Sequence, residues 1–433
     1  MALVVYVRKS VKQKFTLTPR LASLMEDFRQ MTNDCIRIGL EFEERNRGMT
    51  PSMKRLSLLA YNDLRARYRD FSQYALCAIS KAAGILSARR KSMKRGHPTK
   101  RPYLFKPLLV SCYGFKFADD YASLTIHLDA KTFETIPLNI HTRTVLSSCG
   151  SSTKVRSFTL TLESLSLCIA KEVESTEEIN VISAVGVDRN LSNVTVGNES
   201  LVTIYDLTKI VEMGENTRSI VGSFKRNDVR IRKKIASKYG KRKKARVGQI
   251  LNRLSKEIVA KAKENKQLVV FENITGLRNL YRKGNGQGRS SRYRMNSSFP
   301  YGELKREADY KAAWDGEVPV LTLTKGETRG TTMDCPRCGE RLQVASRDDE
   351  EHHRQLWCQK CKRWTDRDVV AVMNISHRGL LRFRSSKGEA VEAVNGNPKK
   401  RWSSLDREPV ILRVDASKLR TKDRAILKHV QRT

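Results

Sequence analysis

No run of about 18 apolar residues occurs in these 433 residues, which excludes a helix that spans a membrane. The opening stretch MALVVYVRKSVKQKF lacks the charged start, long apolar run and small-residue cleavage site of a signal peptide. Its alternation reads as a strand. A secreted disulfide framework is missing too. The nine cysteines are an odd number; Cys35, Cys77, Cys112, Cys149 and Cys168 are scattered, and the other four pair tightly near the C-terminus. That usage argues for a reducing, cytoplasmic compartment. Acid is scarce beside base: 46 Asp and Glu against 83 Lys and Arg, a net charge of +37. A compact surface so positive repels itself, and a polyanion relieves it. Charge alone points to nucleic acid without saying which kind, and a generic basic protein of ribosomal type stays open.

The length allows about two or three domains. Residues 4–17 read as a strand. Leu21, Leu24, Met25, Phe28, Met31, Cys35, Ile38 and Phe42 then recur at helical spacing along one face. A second helix over 69–93 buries Tyr74, Cys77, Ala78 and Leu86 and ends in Arg89, Arg90 and Lys91. From about 102 to 172 short alternating segments (TIHL, FTLTL, LSLCIA) mark antiparallel β structure, with which the first strand is expected to pair. Residues 181–204 read as a hairpin turning near Leu191 and Ser192. Residues 225–246 carry twelve Lys/Arg and one acid, Asp228. Such density has a plain reading as a solvated helix face. Because it runs into an apolar stripe (Val247, Ile250, Leu251, Leu254, Ile258, Ala262), a phosphate-facing helix packed on a domain is preferred. KQLVVFENI, 266–274, has the form of a buried strand. The pattern at Gly284, Gly286 and Gly288 carries no dinucleotide signal, lacking strand and helix in register; it reads as a mobile basic loop. Residues 302–314 read as helix and 318–324 as strand, so the second half alternates in α/β fashion.

Cys335-x2-Cys338 and Cys358-x2-Cys361 are two knuckles with 19 residues between them. Each places two thiolates on one metal, and together they complete a closed, structural Zn²⁺ tetrahedron. Disulfides and an iron–sulfur cluster are the competing readings. With four thiols present, His352 and His353 are read as surface residues. Three acids sit in suggestive settings. Asp188 ends the apolar run AVGVD, Glu272 ends QLVVFE, and Asp368 opens the apolar stretch DVVAVMNI. Each has a mundane alternative: a turn residue, a strand-edge charge and a helix N-cap. As a set they match what two-metal phosphodiester cleavage needs, carboxylates converging from distant parts of a chain.

The order VGVD, basic helical segment, VFENITGLR, paired knuckles and DRDVVAVMNI resembles the TnpB nucleases of insertion sequences, which are related to the miniature type V CRISPR effectors. FPYGELKREADYKAAWDGEVPV resembles the family's helix and strand before the finger. The likeness is firm over 181–380 and softer over 1–180. It implies an α/β, RNase H-like (RuvC) nuclease domain with an inserted four-Cys zinc finger. An N-terminal β-barrel wedge domain holding an inserted helical recognition domain would precede it. The implied boundaries are wedge 1–18 and 99–178, helical domain 19–98, nuclease 179–332 and 365–385, finger 333–364, and a largely disordered tail 386–433. That tail contains Pro398, Lys399, Lys400 and Arg401.

The resemblance carries Asp188, Glu272 and Asp368 over as catalytic acids binding two Mg²⁺, with Asp368 preferred to Asp366, and Cys335, Cys338, Cys358 and Cys361 as ligands of one structural Zn²⁺. It implies RNA-guided cleavage of double-stranded target DNA, with a guide RNA from the transposon end, in a monomer with no membrane partner, at the prokaryotic nucleoid when bound to DNA. Guide and heteroduplex contacts are expected from Arg89, Arg90, Lys91, Arg230, Lys233, Lys234, Lys241, Arg242, Lys243 and Lys244. Two departures stand out. The first motif reads Asp188-Arg189-Asn190 where relatives carry Asp-Leu-Gly, and Val370 and Val372 follow the third acid where Asn or His and Ala are common. An Asn there would lie near the metals. The rival readings are a cleavage-impaired RNA-guided repressor, a CRISPR effector of the same core, and a transposition factor that uses no guide.

Overall fold

The computed structural model describes residues 4–129, 131–150, 153–174, 180–277, 286, 288, 291, 292, 295, 300–345, 349, 351, 352, 354–387 and 408–419, the side chains of 4, 5, 70, 71 and 174 aside. Most of the loop at 284–289, His353, and the tail residues 388–407 and 420–433 lie outside them. The chain divides into two compact units, Met1–Glu174 and Ser175–Thr433. Among the described residues no helix is long and apolar enough to cross a membrane.

In the first unit β1 (Val4–Lys14) is followed by three helices: α1 (Pro19–Arg45), α2 (Met53–Arg67) and, after a 3₁₀ turn over Arg69–Tyr74, α3 (Ala75–Lys94). Thr18 caps α1 by accepting from Leu21 N, with Pro19 in the first turn, where its missing N–H costs nothing. The α1 stripe is buried from Leu21 to Cys35 and continues beyond it at unbroken helical spacing, leaving Ile38 and Phe42 half-buried at its edge. Ile36, Gly39 and Glu43 go inward. A Cβ on Gly39 would meet Leu86 Cδ1 at 2.4 Å, so that glycine lets α3 approach closely. One turn further on, Glu43 takes Arg89 at 2.7 Å. Helix α2 has no counterpart in the sequence reading.

The strands that follow are β2 (Leu108–Ser111), β3 (Phe115–Phe117), β4 (Ser123–His127) and β5 (Phe133–Pro137). After α4 (Ile140–Ser147) come β6 (Thr153–Thr161) and β7 (Ser164–Glu174). They form two antiparallel sheets, β1-β7-β6-β2 and β3-β4-β5, and no ladder closes either into a ring among the described residues. Strand β1 pairs along its whole length with β7, from Val4↔Glu174 to Lys14↔Ser164, so the helices are an insertion between sheet neighbours.

The second unit is built on β8 (Ser183–Arg189), β9 (Asn193–Gly197), β10 (Leu201–Asp206), β11 (Gln267–Phe271) and β12 (Val320–Thr322). Helices α5 (Thr208–Ser223) and α6 (Val229–Glu264) lie between β10 and β11, and α7 (Tyr301–Asp315) precedes β12. The finger strands are β13 (Gln343–Val344), β14 (Gln355–Cys358) and β15 (Arg363–Asp366). Helix α8 (Arg367–Ser386) and β16 (Val410–Asp415) complete the unit. The main sheet runs β12-β11-β8-β9-β10-β16. Strands β8, β9 and β10 are antiparallel, while β11 and β12 run parallel to β8. One face packs on α6 and α7 through Val185, Val187, Val269 and Phe271. The other packs on α8, where Val372 and Met373 meet Val202 and Ile204, and Ile375 meets Leu268 and Val270.

Within the tail 386–433, which the sequence reads as loose, strand β16 corrects that expectation for residues 408–419, the rest of the tail after Lys387 lying outside the described residues. The strand pairs in parallel with β10 from Leu201↔Val410 to Asp206↔Asp415, and Val414 and Leu419 are buried in the core. Five apolar-leaning residues (VILRV) suffice because the open edge of β10 offers a full set of backbone partners.

Helix α8 lies close on the sheet because glycine faces it. A Cβ on Gly186 would stand 2.3 Å from Val372 O and 2.9 Å from Ser376 N, which are backbone atoms that cannot swing aside. Gly186→Ala is therefore expected to cost about 1–3 kcal/mol or more, seen as a lower thermal midpoint.

Candidate metal centres and nucleic-acid interface

Parallel pairing of β8 and β11 ends at Val187↔Phe271, so Asp188 and Glu272 follow side by side at the C-terminal ends of neighbouring central strands. Asp368 arrives from the first turn of α8. Asp366 is the N-cap of that helix; its Oδ1 accepts from Asp368 N at 2.7 Å and Val369 N at 3.3 Å. The capping role thus belongs to Asp366, and Asp368 is left to face the sheet. Asn190 Nδ2 donates to Asp188 Oδ2 at 2.8 Å and to Asn193 Oδ1 at 3.0 Å, and Asn193 Nδ2 donates to Asp368 Oδ2 at 3.1 Å. Two asparagines of the β8–β9 turn therefore tie the first acid to the third.

The three acids feel one another's charge. Burial pushes the Asp188 carboxyl up to about 7, and the negative charges of Glu272 and Asp368 push the same way, against the Asn190 hydrogen bond. Burial also raises Glu272, opposed by the Arg189 guanidinium. Both outer acids have arginine partners. Arg189 Nε donates to Glu272 Oε1 at 2.9 Å, and Arg354 Nη2 donates to Asp368 Oδ1 and Oδ2 at 3.0 and 2.9 Å. Among the described residues only the four knuckle cysteines bring their ligand atoms within 4.8 Å of one another; the acids do not meet that condition. They nevertheless fit divalent cations in one respect. Glu272 Oε2 is buried without a hydrogen-bond partner, a costly state that a cation relieves. Beside Asp368 opens a cavity of about 530 Å³ walled by Asn190, Ser192, Met333, Arg354 and Arg367 among others.

A cation at Asp188 has to displace its proton. Divalent binding is therefore expected to strengthen as pH rises, about tenfold per unit below pH 7 and levelling above it. Titration of Mn²⁺ between pH 5.5 and 8.5 measures this. Without cation the sign reverses for stability. The folded state holds the Asp188 proton more tightly than the unfolded chain, so the stability it contributes at low pH is lost as pH rises from about 4 towards 7.

At the knuckles, Cys335 and Cys361 Sγ lie 3.9 Å apart and Cys338 and Cys358 Sγ 3.5 Å apart. These match the ~3.8 Å tetrahedral edge that Zn–S bonds of about 2.3 Å require and are far from the ~2.05 Å of a disulfide. His352 turns elsewhere, stacked on Trp364 at 4.1 Å with Nδ1 2.9 Å from Asp349. Val370 sits fully buried with Cys335, Leu342, Leu356 and Cys358, so this departure position packs the finger core. Val372 packs on the sheet instead. Asn374 Nδ2 donates to Thr331 O and Asp334 O at 2.9 and 2.7 Å, bolting α8 to the first knuckle.

The basic residues divide. Arg89 is spent on Glu43, whereas Arg90 and Lys91 are exposed. Helix α6 buries Val247 to Ala262 and nothing before Val247. Its first half exposes Arg230, Lys233, Lys234, Lys241, Arg242 and Lys244, with Lys243 half-buried. The sequence reading treated Arg189 only as a departure and missed Arg354, Asn193 and the whole of α5. Their roles depend on partners 83 residues away for Arg189 and 175 for Asn193, which no local pattern reveals.

Comparison with known proteins agrees with this architecture. Residues 301–375 match the Cas12f1-like TNB domain family. A TnpB-like protein of Methanocaldococcus jannaschii is 28% identical over 206 residues, 44% of this chain and 66% of that protein, so the match spans just under two thirds of the relative. Among solved structures, Cas12f1 in its complex with sgRNA and target DNA superposes with a TM-score of 0.57 at 15% identity, covering 83% of each chain. The mini-RNA-guided endonuclease CRISPR-Cas_phi3 superposes with a TM-score of 0.52 at 9% identity, covering 86% of this chain and 92% of that one. The sheet and four-cysteine cluster define the class: a six-stranded mixed sheet flanked by helices with a cysteine finger that could hold a metal ion, in the fold of Cas12f1. Together the matches set this chain beside TnpB-like and Cas12f1-like proteins.

Proposed function

We propose that this chain is an RNA-guided DNA endonuclease that hydrolyses phosphodiester bonds at Asp188, Glu272 and Asp368. What supports the reading is that Asp188 and Glu272 follow neighbouring parallel strands side by side, and that Asn190 and Asn193 link Asp188 to Asp368 on the helix. Two Mg²⁺ ions there would supply an activated water and a stabilised leaving oxygen. The residues do the rest. Asn190 and Asn193 orient Asp188 and Asp368. Glu272 keeps Oε2 free of donors. Arg354, with about half its side chain exposed, can turn from Asp368 towards an incoming phosphate. Base pairing with a guide RNA, derived from the transposon end, would read the target, while the protein grips backbones. The test is direct: protein carrying its guide, with Mg²⁺, should cut a matched duplex and spare a mismatched one. A preparation that binds discrete RNA yet never cuts or nicks in Mg²⁺ or Mn²⁺ would refute it. One observation favours a second reading, an RNA-guided repressor impaired in cleavage: arginines stand on two of the three acids. The same nicking assay separates the two.

The exposed first half of α6 is assigned to phosphate binding. Replacing Lys234, Lys241, Arg242 and Lys244 by Gln is expected to weaken binding at every sequence alike. It should also flatten the slope of log K against log salt by about 0.7–0.9 for each phosphate that is no longer neutralised. Filter binding across a salt series reads both effects.

A further inference from the structure

We propose that Arg189 is a positioning residue that presents Glu272 to a divalent cation through Oε2 alone; this rests on the cation-binding role assigned to Glu272 above. The strand places Arg189 next to Asp188 but on the opposite face, with Val187, on the side that α6 and α7 cover. There the guanidinium is used at three points. Nε donates to Glu272 Oε1 at 2.9 Å, Nη2 to the backbone carbonyl of the same glutamate at 2.9 Å, and Nη1 to Tyr301 O, at the start of α7, at 2.8 Å. Its Cζ lies 5.2 Å from the centroid of the Phe271 ring. The side chains of Arg189 and Glu272 are 2% and 5% exposed.

Two bonds from one rigid plane to two points on one glutamate fix that side chain's rotation. They fix which oxygen is consumed as well. Oε1 is taken by the guanidinium, and Oε2 is left buried with no donor. A carboxylate held this way offers one oriented oxygen, the usual work of a group that hydrogen-bonds a metal ligand. A plain structural ion pair would account for the burial. It would not account for an arrangement that satisfies Oε1 and the carbonyl of Glu272 while leaving Oε2 bare, since an unpaired buried oxygen is expensive.

The test uses the full chain with its zinc in place and reads Mn²⁺ binding by calorimetry and by electron paramagnetic resonance. Arg189→Lys keeps the charge but not the planar fork, and Arg189→Met keeps bulk without charge. Both are expected to bind Mn²⁺ about 10–100-fold more weakly, with unchanged stoichiometry, and guided cutting should recover as Mn²⁺ is raised. Should Arg189→Met fail to fold, Arg189→Lys carries the test. Wild-type Mn²⁺ affinity in a folded variant, even one of lower thermal midpoint, would make Arg189 purely structural and overturn the proposal. If wild type and Asp188→Ala bind Mn²⁺ identically, there is no carboxylate site, and both this inference and the nuclease reading fall.

Discussion

Asp188→Ala is expected to lower guided DNA cutting to the guide-free background while leaving guide and target binding within about twofold. The asymmetry follows from where Asp188 sits. It is the middle member of the acid set: Glu272 follows on the neighbouring strand, Asp368 is linked to it through Asn190 and Asn193, and both outer acids raise its carboxyl. The outer acids are each neutralised by an arginine, and Asp188 is held by an amide alone. Removing it deletes the one acid of the three with no arginine hydrogen-bonded to it among the described residues, though Arg367 lends it some positive charge, and cations there would lose their shared ligand. The exposed basic residues of α6 proposed to grip phosphate are untouched, so binding is expected to persist. A second readout separates this from unfolding. Burying a carboxylate whose carboxyl is pushed up to about 7 destabilises the cation-free fold at pH 8. The variant should then melt no lower than wild type without Mg²⁺, and Mg²⁺ should raise the midpoint of wild type alone. Undiminished cutting by a folded Asp188→Ala protein would end the assignment.

What could be read in advance divides along the range of the interactions involved. The cysteine knuckles were legible because C-x2-C is a local device whose spacing sets the metal geometry directly. The acids were legible singly, as charges ending apolar strands, since burying a carboxylate has a cost that local sequence displays. Their meeting was not. It depends on β8 pairing in parallel with β11 across the inserted helices α5 and α6, a non-local register that alternation leaves open. The burial of Gly39 and Glu43 in α1 was hidden for the same reason, because it depends on α3, where Leu86 and Arg89 meet them. Strand β16 was overlooked because five residues in a polar tail give too short a pattern, and its partner β10 lies some two hundred residues upstream. At Asp366 and Asp368 the residues were identified, but the division of labour between cap and site rests on hydrogen bonds that two acids so close in sequence cannot announce.

Loss of zinc is the other change with a large expected effect, and it should reach beyond the finger. The finger's own apolar contents are small: Leu342 and Leu356, the cysteines, a partly buried Met333, and Val370 lent by α8. Its sheet has three strands, one of them only two residues long. So little core cannot hold the fold, whereas zinc binding by finger peptides is worth about 10–16 kcal/mol near neutral pH. Chelation, or Cys358→Ser, should therefore release the stretch from 331 to 366 as a protease-sensitive segment while the six-stranded sheet stays protected. The consequence for chemistry runs through two supports. Arg354 stands at the head of β14 and bonds Asp368, and Asn374 and Arg378 of α8 hold the knuckle loop at Thr331, Asp334 and Arg329. When the finger melts, the start of α8 is deprived of both and Asp368 loses its fixed place opposite Asp188. Guided cutting should vanish together with the zinc, and Mg²⁺ in excess should not restore it. Zinc release followed by a metallochromic dye, read beside limited proteolysis and plasmid cutting, gives the three curves. Coincident loss is the expected result, and zinc-free protein that keeps both its proteolytic pattern and its cutting would show that the four thiols play no part in holding the site.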